Sequence, residues 1–387
     1  MLSRRSFLIS TGAVALGQLL SGCGDSEHDL RVFLLQGSIP PQLLTAFRQQ
    51  LSPRPSLSFT PQAQLKMLFE LLATWQGKDA KKAGLWRDLP KIPIINPQEP
   101  PISDLVTLGD AWLAEGIQQG LIDPLELTDI PNWQKLPSRW QRLVKRDGRG
   151  NVKENGQIWG APYRWGTTLM VYQEDKLDWE PTDWSDLWDE RLRDRITLVD
   201  QPREVIGLTL KKLGQSYNTQ DLASVPGLKS ELLSLQKQVK YYSSRHYLQP
   251  LLIGDAWLSV GWSNEILPLI AKNRGLKAII PASGTSLWSD IWVKPKAKTG
   301  NVVLSKSAKQ WIDFCWQPQA ADLISLFTEG ASPMINVIDK NELSKEVQDN
   351  PLLLIKPEIF DKCEFLEPLP DKVQAEYLNL WKEMRNS

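Results

Sequence analysis

The segment SLWSDIW, Ser286 to Trp292, places one acid, Asp290, two residues from an indole on either side, Trp288 and Trp292. A carboxylate pairs with an ammonium or guanidinium group, and an indole face attracts the same charge. These are the parts of a cation site. Aspartate is disfavoured in strands, yet the apolar run LKAIIPA precedes this one and VKPKAK follows it. The alternative is a solvated acid at a strand start, with the indoles packed in the core. Asp110, Asp200 and Trp262 likewise stand at or just past candidate strands. Asp110 follows Gly109, where it could cap a helix. Glu204 precedes an apolar helix start, where an acid also favours the helix N-terminus. Trp165 and Tyr163 could line a pocket or fill a core. Arg203 reads as a structural salt-bridge partner.

Little else in the chain could do chemistry. Only two histidines occur, His28 and His246. No HExxH, CxxC or GxxxxGK[ST] pattern is present. Gly261-Trp262-Ser263-Asn264 begins like a nucleophile elbow, but the pattern needs glycine at Asn264. The residues therefore assign no catalytic group, no metal site and no cofactor. Lys+Arg and Asp+Glu are both 45, so no basic excess points to nucleic acid. Tryptophan stands out at 17 copies, enough for aromatic-walled pockets as well as a core.

The N-terminus reads MLSRRSFLISTGAVALGQLLSGC. Ser3-Arg4-Arg5-Ser6-Phe7-Leu8 matches the twin-arginine export signature. The uncharged run from Ser6 to Gly22 is too short and too rich in Gly and Ser for a confident membrane span. Leu20-Ser21-Gly22-Cys23 looks like a lipobox, in which Cys23 is acylated and becomes the new N-terminus. The expectation is a signal peptide over 1–22, a lipidated tether over 23–29, and a folded part outside the cytoplasm. A buried N-terminal helix with a chance Arg-Arg pair is the alternative. Removal of 1–22 takes Arg4 and Arg5 and no acid, leaving 43 basic against 45 acidic residues. Export would permit a disulfide between Cys315 and Cys363, but their spacing does not decide it.

At 387 residues the chain is longer than one core usually supports, so two lobes are expected. Residues 30–37 read as a first strand, PPQLLTAFRQQL as a helix with proline in its first turn, and 63–76 as an amphipathic helix. Residues 87–103 read as a loop. Residues 155–173 read as paired strands broken by Gly160 and Pro162. Beyond them WSDLWDERL, REVIGLTLKKLG, SELLSLQKQV and NEILPLIAKN read as helices. RITLVD, KYYSS, GDAWLSVGW and LKAIIPA read as strands between them. The alternation predicts an α/β fold with mostly parallel sheets. Ligands of such sheets sit beyond the carboxyl ends of strands.

With these pieces in order, residues of roughly 100–335 resemble the type 2 periplasmic solute-binding proteins, closest to the spermidine/putrescine-binding branch. "GDAWLAEGIQQGLIDPLE" resembles that family's strand-turn-helix after the first crossover. "WGAPYRWGTTLMVY" resembles its crossing segment, normally Val-Pro-Tyr-x-Trp-Gly-Thr. "WSDLWDERLRDRITLVDQPREVIGLTLKKLGQSYNTQD" resembles its Trp-x-x-Leu-Trp … Arg-Glu … Leu-Gly-x-x-x-Asn-Thr block. The resemblance implies lobe one over 30–163 plus 291–387, lobe two over 164–290, and closure on a ligand. It implies a small cationic solute, a polyamine above all, delivered by a monomer to an ABC permease, with a lipid anchor to the membrane. It carries ligand contact to Trp288, Asp290, Trp262 and Glu204; Trp165 and Asp110 complete the candidate set. Departures are Leu35-Gln36-Gly37-Ser38 for an aromatic-plus-acid cluster, Gln201 for an acid, and Gly330-Ala331-Ser332-Pro333 for a tyrosine-bearing turn. Other amines, amino acids or ferric iron are alternative ligands, and a periplasmic enzyme is a further alternative. Related ferric-binding proteins use adjacent tyrosines, and Tyr241-Tyr242 is such a pair, in a strand whose alternation points neighbours to opposite faces.

Overall fold

The computed structural model describes residues 28–52, 55–78, 101–297 and 303–386. The signal segment, Cys23 and most of the expected 87–103 loop lie outside the described residues. The chain divides into two units, the first comprising the described residues up to Tyr163, Asp290–Thr328 and Ser332–Ile338. The second comprises Arg164–Ser289, Glu329–Ala331 and Asp339 onward.

In chain order the strands used below are β1 (Leu30–Leu35), β2 (Leu57–Gln62), β3 (Leu105–Gly109), β4 (Ala161–Gln173) and β5 (Ile196–Leu198). They continue with β6 (Val239–Tyr242), β7 (Leu258–Trp262), β8 (Leu276–Ile279) and β9 (Ser286–Pro295). The longer helices are α1 (Pro41–Gln50), α2 (Leu65–Trp75), α3 (Pro202–Lys212), α4 (Leu228–Gln236) and α5 (Ser263–Lys272). Then follow α6 (Lys306–Cys315), α7 (Pro318–Phe327) and α8 (Asp371–Arg385).

The first unit is built on parallel strands in the order β2-β1-β3, with Leu30 opposite Leu57 and Val32 opposite Leu105. The distal half of β9 adds antiparallel to β3, Asp290 opposite Gly109 and Val293 opposite Val106. Parallel strands buried on both faces read as continuous apolar runs, and β3 is buried at all five positions. Rings fill the core. Phe47 and Phe59 meet Trp311 edge-on at 5.0 and 4.9 Å, and Tyr163 stacks on Trp292 at 4.0 Å. The Tyr163 hydroxyl hydrogen-bonds Thr107 and Ser38, so this aromatic belongs to the packing.

In the second unit the order is β8-β4-β7-β5-β6. β4 runs antiparallel to β8 and β7, while β7, β5 and β6 are parallel. The expected break falls at Trp159-Gly160, between a short strand, Gln157–Ile158, and β4; none occurs at Pro162, and β4 is one strand of 13 residues running through it. Its alternation feeds two cores. Met170 and Tyr172 join a cluster with Trp184, Val205, Leu208 and Leu258, whereas Leu169 and Val171 pack with Leu251, Ile266 and Leu276.

The sequence placed 291–387 wholly in lobe one, but 339 onward belongs with the second unit. Partly buried polar contacts hold it there. Asn218 donates to the Phe365 carbonyl at 2.9 Å, Arg203 to the Glu367 carbonyl at 3.0 Å, and the Tyr377 hydroxyl to the Thr219 carbonyl at 2.8 Å. Tyr377 and Met384 of α8 complete the larger core. Arg203 is thus a backbone clamp as well as a cation over the Tyr377 ring. Among the described residues no helix is long and apolar enough to cross a membrane.

Candidate functional site

In the second unit the candidate residues gather where parallel strands end and helices begin. β5 leads through Asp200 and Gln201 into α3, whose first turn carries Glu204. β7 ends at Trp262, and α5 starts at the next residue. Glu204 is buried, and neutral groups surround its carboxylate. The Ser286 hydroxyl donates to Oε2 at 2.6 Å and the Thr168 hydroxyl at 3.2 Å, and the Trp262 side chain adds a third hydrogen bond. Burial pushes the Glu204 carboxyl above its ordinary range; the three hydrogen bonds and the Arg203 charge pull it back. The net direction is upward, so this acid is held without a cation of its own to balance it fully.

Trp262 is fixed from behind. Its backbone amide donates to the Tyr247 hydroxyl at 3.2 Å, and the Tyr247 ring stands edge-on to the indole at 6.2 Å. The tyrosine ring occupies the space over Gly261, where an added Cβ would lie 1.9 Å from Cε2. Only glycine fits there. Trp288 is half-buried. Its Cζ2 would lie 2.4 Å from a Cβ at Gly166, so the indole rests on backbone. The Arg164 guanidinium stands 5.4 Å from its ring centroid.

Trp165 is placed differently. It is buried, tilted against Phe360 at 5.2 Å, and its backbone bridges Ala331 with two 2.8 Å hydrogen bonds. Asp200, one residue from the position where the resemblance puts an acid, reaches Arg385 at 3.5 Å, and Gln201 donates to Ser244. The neighbouring tyrosines separate as alternation requires: Tyr241 is exposed and Tyr242 buried, with its hydroxyl on Gln236. Among the described residues no cluster of His, Cys, Asp and Glu could hold a metal ion. Cys315 and Cys363 are buried thiols that form no disulfide.

In the first unit two acids come close in register. Asp290 is buried and sits opposite Gly109. Asp110 follows that glycine and opens a single 3-10 turn, Asp110–Trp112, whose cap position is Gly109 itself. Asp110 therefore lies in the first turn and is not its cap.

Sequence reasoning missed Thr168, Ser286, Tyr247 and Arg164. The two hydroxyls reach Glu204 from 36 and 82 residues away, so no local pattern links them. The Gly-Trp-Ser order at 261–263 was visible, but not the ring that demands its glycine.

The profile of the bacterial extracellular solute-binding proteins matches residues 101–363. The chain belongs to that family. Its members bind solutes for transport and are not enzymes, and the fold is that of the two-lobed periplasmic binding proteins. The chain is 23% identical to the spermidine/putrescine-binding periplasmic protein of Salmonella typhimurium over 365 residues, 94% of this chain and 93% of that one. It is 24% identical over 308 residues to the putrescine-binding periplasmic protein PotF of Escherichia coli, covering 73% of this chain and 78% of the relative. Among solved structures, the spermidine/putrescine substrate-binding protein PotD of Streptococcus pneumoniae superposes with a TM-score of 0.73 at 21% identity. The superposition covers 92% of this chain and 98% of that one.

Proposed function

We propose that this solute-binding protein captures a small cationic amine of the polyamine kind outside the cytoplasm and delivers it to an ABC permease. The observation that carries the reading is Glu204, a buried carboxylate surrounded by hydroxyls and an indole. An acid in such a place is stabilised by a cation that enters with the ligand. The indoles of Trp262 and Trp288 supply apolar wall for the methylenes, and that of Trp262 attraction for the charge. Asp290, with Asp110 beside its register partner, is assigned a second ammonium contact. The names of the relatives, which specify spermidine and putrescine, support the same class. Capture is by closure of the two lobes, with affinity reflecting preference for the closed state. The Arg4-Arg5 signature and Cys23 assign twin-arginine export and a lipid anchor; radiolabelled palmitate incorporated by the full chain and lost in Cys23→Ser tests the anchor.

The test of function is calorimetric titration with putrescine, spermidine and spermine. The protein is the chain lacking residues 1–23, which keeps every described residue. Saturable binding weakened by Glu204→Gln is the expected result. Binding that is indifferent to this change sinks the assignment of the acid, and heat with no amine of any kind sinks the amine class.

A further inference from the structure

Arg164 is a buried cation at an unexpected place. It lies on β4 two residues before Gly166 and is 4% exposed. Its guanidinium stands over the Trp288 ring, so the attraction this indole offers a cation is already used within the chain. The opposite need appears at the indole edge. Nε1 of Trp288 is buried and has no hydrogen-bond partner among the described residues. A buried N–H without an acceptor is costly and is relieved by anything that brings one. Trp292 and Trp311 also lack an acceptor, but both are enclosed by rings, Trp292 by Tyr163 and Trp311, and Trp311 by Phe47, Phe59 and Phe314. Trp288 instead is half-buried, carries a cation over its ring, and follows Ser286, which holds Glu204, by two residues.

A protonated diamine cannot answer these needs. It offers only N–H donors, so the Trp288 N–H would stay without an acceptor, and its second ammonium would approach the Arg164 guanidinium, on which the Glu329 carboxylate also acts. A molecule with an ammonium at one end and an oxygen at the other answers both.

We infer that Arg164 and Trp288 select amines bearing an oxygen acceptor, a carboxylate or an amide carbonyl, on the far side of a short methylene chain from the cationic nitrogen. The inference rests on the amine-binding reading of Glu204. The ammonium goes to Glu204, and the oxygen accepts from Trp288 Nε1 in the field of Arg164.

The experiment titrates the chain lacking residues 1–23 with putrescine, 4-aminobutyrate and N-acetylputrescine. The expected result is that one of the two oxygen-bearing amines binds about tenfold or more tighter than putrescine. The carboxylate and amide arms tell which oxygen the site takes. Trp288→Phe keeps a ring but removes the N–H, and should cost the oxygen-bearing amine about tenfold more than it costs putrescine. Arg164→Met should move the preference toward putrescine. If that variant does not fold by circular dichroism, Trp288→Phe carries the test. Putrescine binding as tightly as both oxygen-bearing amines overturns the inference. So does equal weakening of all three by Trp288→Phe. If putrescine binds through Glu204 and the other two do not, the inference fails while the function stands. If no amine binds, both fail.

Discussion

Trp288 and Trp292 stand four residues apart on one strand, yet they belong to different kinds of structure. Trp292 is fully buried, stacked on Tyr163 at 4.0 Å and edge-on to Trp311 at 6.0 Å. Trp288 is half-buried, rests on the bare backbone of Gly166, and has a guanidinium over its ring. Both indole N–H groups are buried without a hydrogen-bond partner among the described residues, but one indole is packed by other rings and the other has a guanidinium and bare backbone for company. Residue type and strand position are the same, so what differs is the neighbours. Tertiary surroundings separate a core aromatic from a candidate binding aromatic, and the heptapeptide alone does not.

The sharpest way to break this contrast is to truncate each indole. Trp292→Ala should cost about 3–5 kcal/mol of stability in urea unfolding, as large core truncations do. Trp288→Ala should cost only about 1 kcal/mol and lower ligand affinity instead. Equal stability losses would erase the distinction.

Next in size is Glu204→Gln, expected to weaken a cationic ligand by about 1.5–3 kcal/mol, the range for a hydrogen bond to a charged group. Urea unfolding of the ligand-free variant should be unharmed, because the neutral amide is spared the desolvation that burdens the carboxylate.

Gly261→Ala should destabilise the second unit by about 1–3 kcal/mol, because the new Cβ meets the Tyr247 ring. Tyr247→Ala in the same chain should relieve that clash, so the double variant should be more stable than the two single losses added together. Simple additivity in urea unfolding would mean that the ring does not hold this junction.

The smallest effect is on pH dependence. The folded Glu204 carboxyl is raised above its ordinary 4.5. The stability its neutral form gives the free protein is therefore complete below about 4.5 and is lost as pH rises through the folded value. Ligand binding runs the other way. An ammonium favours the carboxylate, so binding releases a proton and tightens as pH rises through the same window. Glu204→Gln should flatten that slope when affinity is measured from pH 4 to 7.

Much of the fold was legible. Apolar runs bounded by Gly, Pro and capping residues placed β1, β5, β7 and α3, and the Trp-x-x-Leu-Trp and Arg-Glu segments placed the family. The tail was not legible. Nothing local in residues 364–367 announces that their backbone will be read by Asn218 and Arg203 about 150 residues earlier. Pro162 also misled, because proline is normally excluded from strand interiors, and here the strand continues past it. For the candidate site, type and motif singled out Glu204, Trp262 and Trp288. The hydroxyls that hold the acid and the guanidinium over the indole required the fold, since each meets its partner only across a long sequence separation.

The most direct test of the central claim is proton release on ligand binding. Calorimetry of a bound amine at several pH values from 4 to 7, in buffers of different ionisation enthalpy, reads the number of protons released for wild type and Glu204→Gln. The account predicts net release from the wild-type chain, no release from the variant, and weaker binding by the variant. Identical proton counts and affinities in the two proteins would show that Glu204 does not hold the ligand's charge.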